Sequence, residues 1–397
     1  MERTARTFVA AFAALTLLFA AFVSGAALER YVGFDTFFGA DVPPPETETT
    51  DIVREVVDII RREALEPASE ESMTAGAVNG LLGSLDDPYA AYFDAEQYGY
   101  FQEQNHGEFY GIGITVTERD GKAIVVSTIE DTPAEAAGLQ PEDEIVSVDG
   151  YSPERWTLDD VVARIRGEEG TPVTLEIRRE GEEELIEVTI VRARIEVPNI
   201  MTELLEDDIG YMRLLTFNTH AARDIRNAVE DLSERGAEGF ILDLRDNPGG
   251  LLQSSVEVAS LFVEEGLIVR VEERDGHPEE HFATGRTVTD APLVVLVNEN
   301  SASAAEIVAG ALQDHGRAKL VGETTFGKGS VQTVEELSNG GAVKITTAHY
   351  LTPSGRSIHK VGLTPDVRVE MKPADQRDRD TDVQLSRAIE VLRGEMR

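Results

Sequence analysis

Two short segments of this chain carry residue types whose spacing could perform acyl transfer, a reaction that needs a nucleophile, a base and donors for an oxyanion. The first is Ser301-Ala-Ser-Ala-Ala-Glu306, which follows the apolar run Pro292 to Val297 and the turn Asn298-Glu-Asn300. It opens a helix predicted to run to about Gln313. Taken alone, Ser303 with Glu306 three residues later is a capping box, whose side chains satisfy the first backbone N–H groups. That is the simpler role for the segment. The chemical alternative places the Ser303 hydroxyl at a helix start, where unpaired N–H groups and the positive end of the dipole stabilise a developing oxyanion.

The second segment is Gly322-Glu-Thr-Thr-Phe-Gly-Lys-Gly-Ser-Val-Gln332. Lys328 is one of only six lysines, and it stands between two glycines. A glycine-flanked lysine is commonly a surface turn residue. It acts as a general base only when neutral, which requires a dry pocket that lowers its pKa from about 10.4. Gly322 to Lys328 also matches part of a phosphate-binding loop. Gly329 stands where such a loop needs Ser or Thr, however, and Val331 to Val334 alternates like a strand, so the nucleotide reading is rejected.

Asp243-Leu-Arg-Asp-Asn-Pro-Gly-Gly250 ends another apolar strand. Its glycines either complete a turn or let one backbone N–H, of Gly249 or Gly250, join the amide of Ala304 as the second oxyanion donor. The seven histidines show no triad setting; His315 and His349 fall in the α/β region, and His277 and His281 in a charged loop. No H-E-x-x-H or similar metal spacing occurs.

These segments need a scaffold, and the 397 residues are enough for two or three domains. Acidic residues outnumber basic ones 74 to 36, a formal charge of −38 that repels phosphate backbones, so nucleic acid is not an expected partner. The absence of cysteine excludes disulfides, thiolate metal sites and cysteine nucleophiles. Phe8 to Leu28 is an uncharged apolar run; about 20 such residues cross a membrane, and the span is expected to be a transmembrane anchor. Its small residues Ser24-Gly-Ala-Ala27 also permit cleavage as a secretory signal. Arg3 and Arg6 precede the run, which places the N-terminus in the cytoplasm and the rest of the chain outside.

After the anchor, residues 29–50 read as a spacer, rich in Pro, Thr and acidic residues from Asp41 to Thr50. Residues 51–106 read as a small helical cap, with helices from Asp51 to Ala64 and from about Met73 to Leu85. From 107 to 195 the pattern is a β-rich module, with strands at Ile112 to Val116, Ala123 to Ser127, Glu144 to Val148, Val173 to Arg178 and Leu185 to Val191. Residues 196–371 alternate buried strands and helices, an α/β layer, and 372–397 form a charged tail with a helical segment from Val383 to Leu392. Within the β-rich module, Tyr110-Gly-Ile-Gly-Ile114 is either an ordinary glycine turn or a nest of N–H groups for a chain-terminal carboxylate.

Together these segments resemble the carboxyl-terminal processing peptidases, in the family's order, from about Asp51 to the end. Ser84-Leu-Asp-Asp-Pro-Tyr-Ala-Ala-Tyr-Phe93 is similar to the family's approach to its PDZ domain, and Gly107 to Val191 looks like that domain. Asp243 to Gly250, Ser301 to Ile307, Thr325 to Gln332 and Tyr350-Leu-Thr-Pro-Ser-Gly-Arg-Ser-Ile358 correspond to successive core motifs. The resemblance implies an α+β multidomain protein: a transmembrane helix, a helical cap, a PDZ module, and an α/β Ser/Lys protease core of the ClpP and crotonase type.

It further implies Ser303 as nucleophile, neutral Lys328 as base, Gln332 as the group orienting it, and no metal or other cofactor. Gly249, Gly250 and Ala304 would supply the oxyanion hole. Tyr110, Gly111, Ile112, Gly113 and Ile114 would hold the free C-terminus of unfolded or tailed protein substrates. Ala305 stands where relatives often carry another serine. The competing classes are a catalytically inactive, membrane-anchored PDZ adaptor that binds protein C-termini and a non-proteolytic hydratase or acyl transferase, for which no cofactor site is found.

Overall fold

The computed structural model describes residues 46–396 apart from 67, 275, 373–375, 377–378 and 380. The expected anchor, Phe8 to Leu28, lies outside the described residues. Among those described, no helix is long and apolar enough to cross a membrane. The chain divides into two compact units, one containing Phe109–Ile195 and the other Val57–Glu108 with Glu196–Arg397.

In the first unit, five antiparallel strands follow one another across a sheet in the order Ile114–Arg119, Lys122–Thr128, Glu144–Val148, Pro172–Arg178 and Ile186–Val191. Alternation decides which face is dry: Val173, Leu175 and Ile177 point inward with Ile112, Val125 and Val148, while Thr174 and Thr189 pair outside. Helix Leu158–Ile165 starts at Thr157, whose hydroxyl accepts the Asp160 N–H, and it buries Val161 and Ile165 against this core.

The second unit is built on a six-stranded sheet in the order Val367–Arg368, Ala318–Gly322, Leu293–Val297, Gly239–Asp243, Ile209–Leu214 and Ile200–Leu205. All neighbours are parallel except the last pair. The two continuous apolar strands are buried at every residue, as expected when helices cover both faces of a parallel sheet. One apolar cluster includes helices Ala221–Glu234 and Ala304–Asp314; on the other face Leu385, Ala388 and Leu392 of helix Val383–Glu395 pack against Ile241, Val294 and Leu296. Arg245, buried at the end of strand Gly239–Asp243, donates to both carboxylate oxygens of Asp243 and of Asp382 at 2.6–3.1 Å, and so ties the last helix to this strand end.

A second, antiparallel sheet of the same unit runs Ala91–Phe93, Ala342–Leu351, Leu267–Glu273 and Pro278–Phe282, with Ser330–Glu336 also paired to the long strand.

Three expectations differ from the structure. Residues 46–50, read as spacer, are already helical in Glu46–Glu63; acidic residues suit a helix start, and three prolines stand just before it. Residues 91–93, read within the helical cap, form a strand that pairs with Ala342 to Lys344, far away in the sequence. His281, read as lying in a loop, is on strand Pro278–Phe282, where tertiary pairing overrides a charged, weakly strand-forming stretch.

Candidate active site

The serine segment is held from both sides before any chemistry is considered. Ser301 is fully buried: its hydroxyl accepts the Asn298 N–H at 2.9 Å and donates to the Leu244 carbonyl at 2.8 Å. The Ala302 N–H donates to the Asn247 carbonyl at 3.0 Å. The first serine of the pair is therefore a structural pin between two strand ends. Ser303 is only half-buried, and its backbone lies at φ 54°, ψ −117°. An ordinary capping serine is extended, and a non-glycine residue at positive φ costs on the order of 1–3 kcal/mol. Such strain persists where the surroundings over-determine it.

Those surroundings centre on Glu306. Its buried carboxylate accepts the Ser303 N–H (2.9 Å), Lys328 N–H (2.9 Å), Gly327 N–H (2.8 Å) and Thr325 hydroxyl (2.5 Å). Burial pushes its carboxyl up from the ordinary range, opposed by these hydrogen bonds. Glu306 thus does reach back to Ser303 as a capping glutamate would, and the same carboxylate also grips the lysine loop. The buried Tyr350 hydroxyl adds a second brace, shared between the Lys328 carbonyl at 2.5 Å and the Ser303 carbonyl at 3.1 Å. Ser303 and Lys328, placed on separate segments by the sequence, are brought together by these two side chains.

Lys328 is largely desolvated, with its Nζ 4.7 Å from the centroid of the Tyr89 ring. Burial, assisted by the positive charge of Lys344, lowers its pKa to about 8, while Asp87 and Glu306 act in the opposite direction. Lys344 is itself pushed down by burial, its Nζ lying over the rings of Phe93 and Phe101 at 5.3 and 5.8 Å. Gln332 sits on the adjoining strand, where its Nε2 donates to Ser330 Oγ at 3.0 Å and Thr346 Oγ1 at 3.2 Å.

Gly249 and Gly250 lie at φ 100° and 147°. A Cβ on Gly249 would come within 2.8 Å of the Ala302 carbonyl oxygen and Ser303 Cβ and 2.9 Å of the Ala304 nitrogen, so only glycine permits this approach. The Gly249 N–H donates to Asn247 Oδ1 at 2.9 Å and would have to leave that bond to serve an oxyanion. Ala304 is the first residue of its helix, where an N–H has no partner within the helix.

In the other unit, Tyr110 to Ile114 joins strands Glu108–Gly111 and Ile114–Arg119. Ile112 is fully buried in the module core, whereas Tyr110 is exposed and Ile114 half-buried. The Gly113 carbonyl accepts the Ile129 N–H at 2.9 Å, and that of Ile112 accepts the Ala134 N–H at 2.8 Å, which fixes the loop. Ile112 anchors the loop from beneath, leaving Ile114 as the apolar side chain nearer the surface.

No local spacing in the sequence marks Asp87, Tyr89, Lys344, Thr346 or Tyr350 as site residues; the Asp-Pro-Tyr and Tyr350 segments stand out only through the family resemblance.

The described geometry is accompanied by matches to known proteins. Residues 208–369 match peptidase family S41, 124–179 match a PDZ domain, and 40–97 match the activating protease CtpB N-terminal domain. The carboxy-terminal processing protease CtpA of Bacillus subtilis (strain 168) is 40% identical over 322 residues, 81% of this chain and 69% of its own length. The carboxyl-terminal-processing protease of Synechocystis sp. is 40% identical over 336 residues, covering 83% and 79%. A solved photosystem II D1 C-terminal processing protease matches at 30% identity and a TM-score of 0.48, over 82% of this chain and 94% of that one.

Removing the Tyr350 hydroxyl tests the brace. Tyr350→Phe is expected to lower kcat/KM about three- to tenfold, the worth of a net hydrogen bond of ~1 kcal/mol, with the circular dichroism spectrum retained. Unchanged kcat/KM would mean that Glu306 alone sets the geometry.

With residues 208–369 matching peptidase family S41, and with relatives of this identity and coverage, the chain belongs to the carboxyl-terminal processing proteases, the serine-type peptidases of family S41.

Proposed function

We propose that this chain is a membrane-anchored endopeptidase in which Ser303 attacks a peptide carbonyl and neutral Lys328 takes its proton. The observation that carries this reading is the pair of shared braces: Glu306 and Tyr350 each bond to the backbones of both residues. Lys328 has a pKa brought down to about 8, so a useful fraction is neutral near physiological pH. The proton accepted from Ser303 passes to the leaving amine as the acyl-enzyme forms, and water then releases the acid. Gln332 orients the lysine. The Ala304 N–H and that of Gly250 or Gly249 receive the oxyanion, an interaction whose single donors are typically worth about 10²–10³ in rate. The inactive-adaptor reading is disfavoured by the depressed lysine, which a binding scaffold has no use for.

The PDZ unit would capture substrates by their free C-termini, with backbone N–H groups of Tyr110 to Ile114 facing the carboxylate and Ile114 beside the last side chain. In so acidic a chain few basic side chains are available for that anion. The run Phe8 to Leu28 would anchor the protein in the cell membrane as a single pass, with the catalytic domains outside the cytoplasm, or release it as a secreted protein if the run is cleaved.

Ser303→Ala and Lys328→Ala are each expected to abolish cleavage of an unfolded protein while leaving the circular dichroism unchanged; wild-type rates in either would sink the assignment. Only neutral Lys328 is competent, so the wild-type rate should climb with pH through about 8, and a flat profile would exclude a lysine base. An unfolded substrate ending in a free apolar residue should bind more tightly and be cut faster than its C-terminally amidated twin. Equal handling of both would reduce the Tyr110 loop to a turn. On alkaline extraction of cells the full chain should stay in the membrane pellet, and deletion of residues 1–28 should release it; a shortened chain in the supernatant would point to cleavage, and a full-length chain there would overturn the anchor.

A further inference from the structure

We propose that Asp87, in the turn between helix Glu70–Gly83 and strand Ala91–Phe93, is a positioning residue for the base: through Thr346 it fixes which face the Gln332 amide presents, and with Tyr89 it forms one wall around Lys328. This rests on the reading of Lys328 as base.

The inference follows hydrogen-bond polarity along a chain of groups. The Asp87 carboxylate accepts the Thr346 N–H at 2.8 Å and the Thr346 hydroxyl at 3.1 Å. It also accepts the Tyr89 N–H at 2.9 Å, which draws that residue's backbone into the same turn. A threonine hydroxyl has one proton, and here it is committed to Asp87. Its oxygen can then serve Gln332 only as an acceptor, as the 3.2 Å contact from Gln332 Nε2 requires. Gln332 and Thr346 stand directly opposite each other across the strand pair, so the contact is set by register. With the NH2 group spent on Thr346 and Ser330, the Gln332 amide keeps its carbonyl oxygen for another donor, the polarity that a lysine carrying protons needs. Without an acceptor at position 87, the Thr346 hydroxyl could turn and donate to Gln332, and the amide could reverse.

Electrostatics act on the same lysine. The groups facing Lys328 are the carboxylates of Asp87 and Glu306, the ammonium of Lys344 and the ring of Tyr89. Burial pushes the Asp87 carboxyl upward, but the hydrogen bonds from Thr346 and Tyr89 outweigh this and hold its pKa below the ordinary value, so it is an anion across the working range.

The test compares pH–rate profiles of the full chain and four variants on a tailed unfolded substrate. Thr346→Val should lower kcat by about tenfold to 10²-fold with KM held within about twofold, and Thr346→Ser should stay within about twofold of wild type. Asp87→Asn should lower kcat comparably and also move the acidic limb to lower pH, because the lost negative charge no longer favours protonated Lys328. A structural role alone would reduce the folded fraction without moving that limb. The proposal is overturned if Thr346→Val keeps wild-type kcat, if Thr346→Ser is as slow as the valine variant, or if the acidic limb of a folded Asp87→Asn stays or moves up. Should Asp87→Asn fail to fold by circular dichroism, the two Thr346 variants decide. Lys328→Ala separates the levels: activity in it removes the base reading itself, whereas a dead Lys328→Ala beside a wild-type Thr346→Val removes only the role of Asp87.

Discussion

A single buried carboxylate carries the geometry of the candidate site. Glu306 is fully buried yet surrounded by four donors, three of them backbone N–H groups from Ser303, Gly327 and Lys328. Burying a carboxylate is expensive unless it is bonded, so the segments that supply those donors are compelled to meet at this point. The serine at positive φ and the glycine-flanked lysine are thereby fixed to each other through one side chain. Tyr350 repeats the arrangement with opposite polarity, donating to the carbonyls of the same two residues.

The rest of the second unit follows from that demand. A parallel sheet ends its strands at one edge, and the loops after Gly239–Asp243 and Leu293–Val297 are neighbours because the strands are. Ser301 and Asn298 stitch those two loops together, through Leu244 and Asp246, and the close approach of Gly249 to Ala304 is possible only without a Cβ. At the far end of the same strand loop, Arg245 couples Asp243 to Asp382, so the C-terminal helix stabilises the loop that carries the two glycines. The antiparallel sheet contributes a drier environment, in which Lys328 and Lys344 both lose solvation and the charge of Lys344 further disfavours protonated Lys328.

The two desolvated lysines illustrate why loss of hydration rather than a charge partner dominates here. A chain with a net charge of −38 would be expected to hold every lysine charged. Most of that charge is on solvated side chains, where screening confines its reach to roughly 8–10 Å. Inside the site, only Asp87 and Glu306 oppose the loss of hydration, and each is occupied by several donors. Local burial therefore outweighs the global charge.

Much was legible in the sequence because it depended on local pattern. Alternation gave the five strands of the β-rich module to within a few residues, and unbroken apolar runs marked the two central parallel strands, since period and burial are written in the residues themselves. Residue chemistry alone excluded cysteine mechanisms and pointed to Ser303, Lys328 and the glycines after Asp243 as candidates, with the family's order of motifs weighting them over capping and turn roles. Tertiary structure decided what no spacing encodes. It separated Ser301 as a pin from Ser303, gave the Glu306 carboxylate the lysine loop as well as the serine N–H, turned Ile112 inward, and brought residues 87–93 beside a strand some 250 positions later. Each of those outcomes depends on which groups meet in a dry interior and must satisfy one another there, a condition that exists only once the chain has folded.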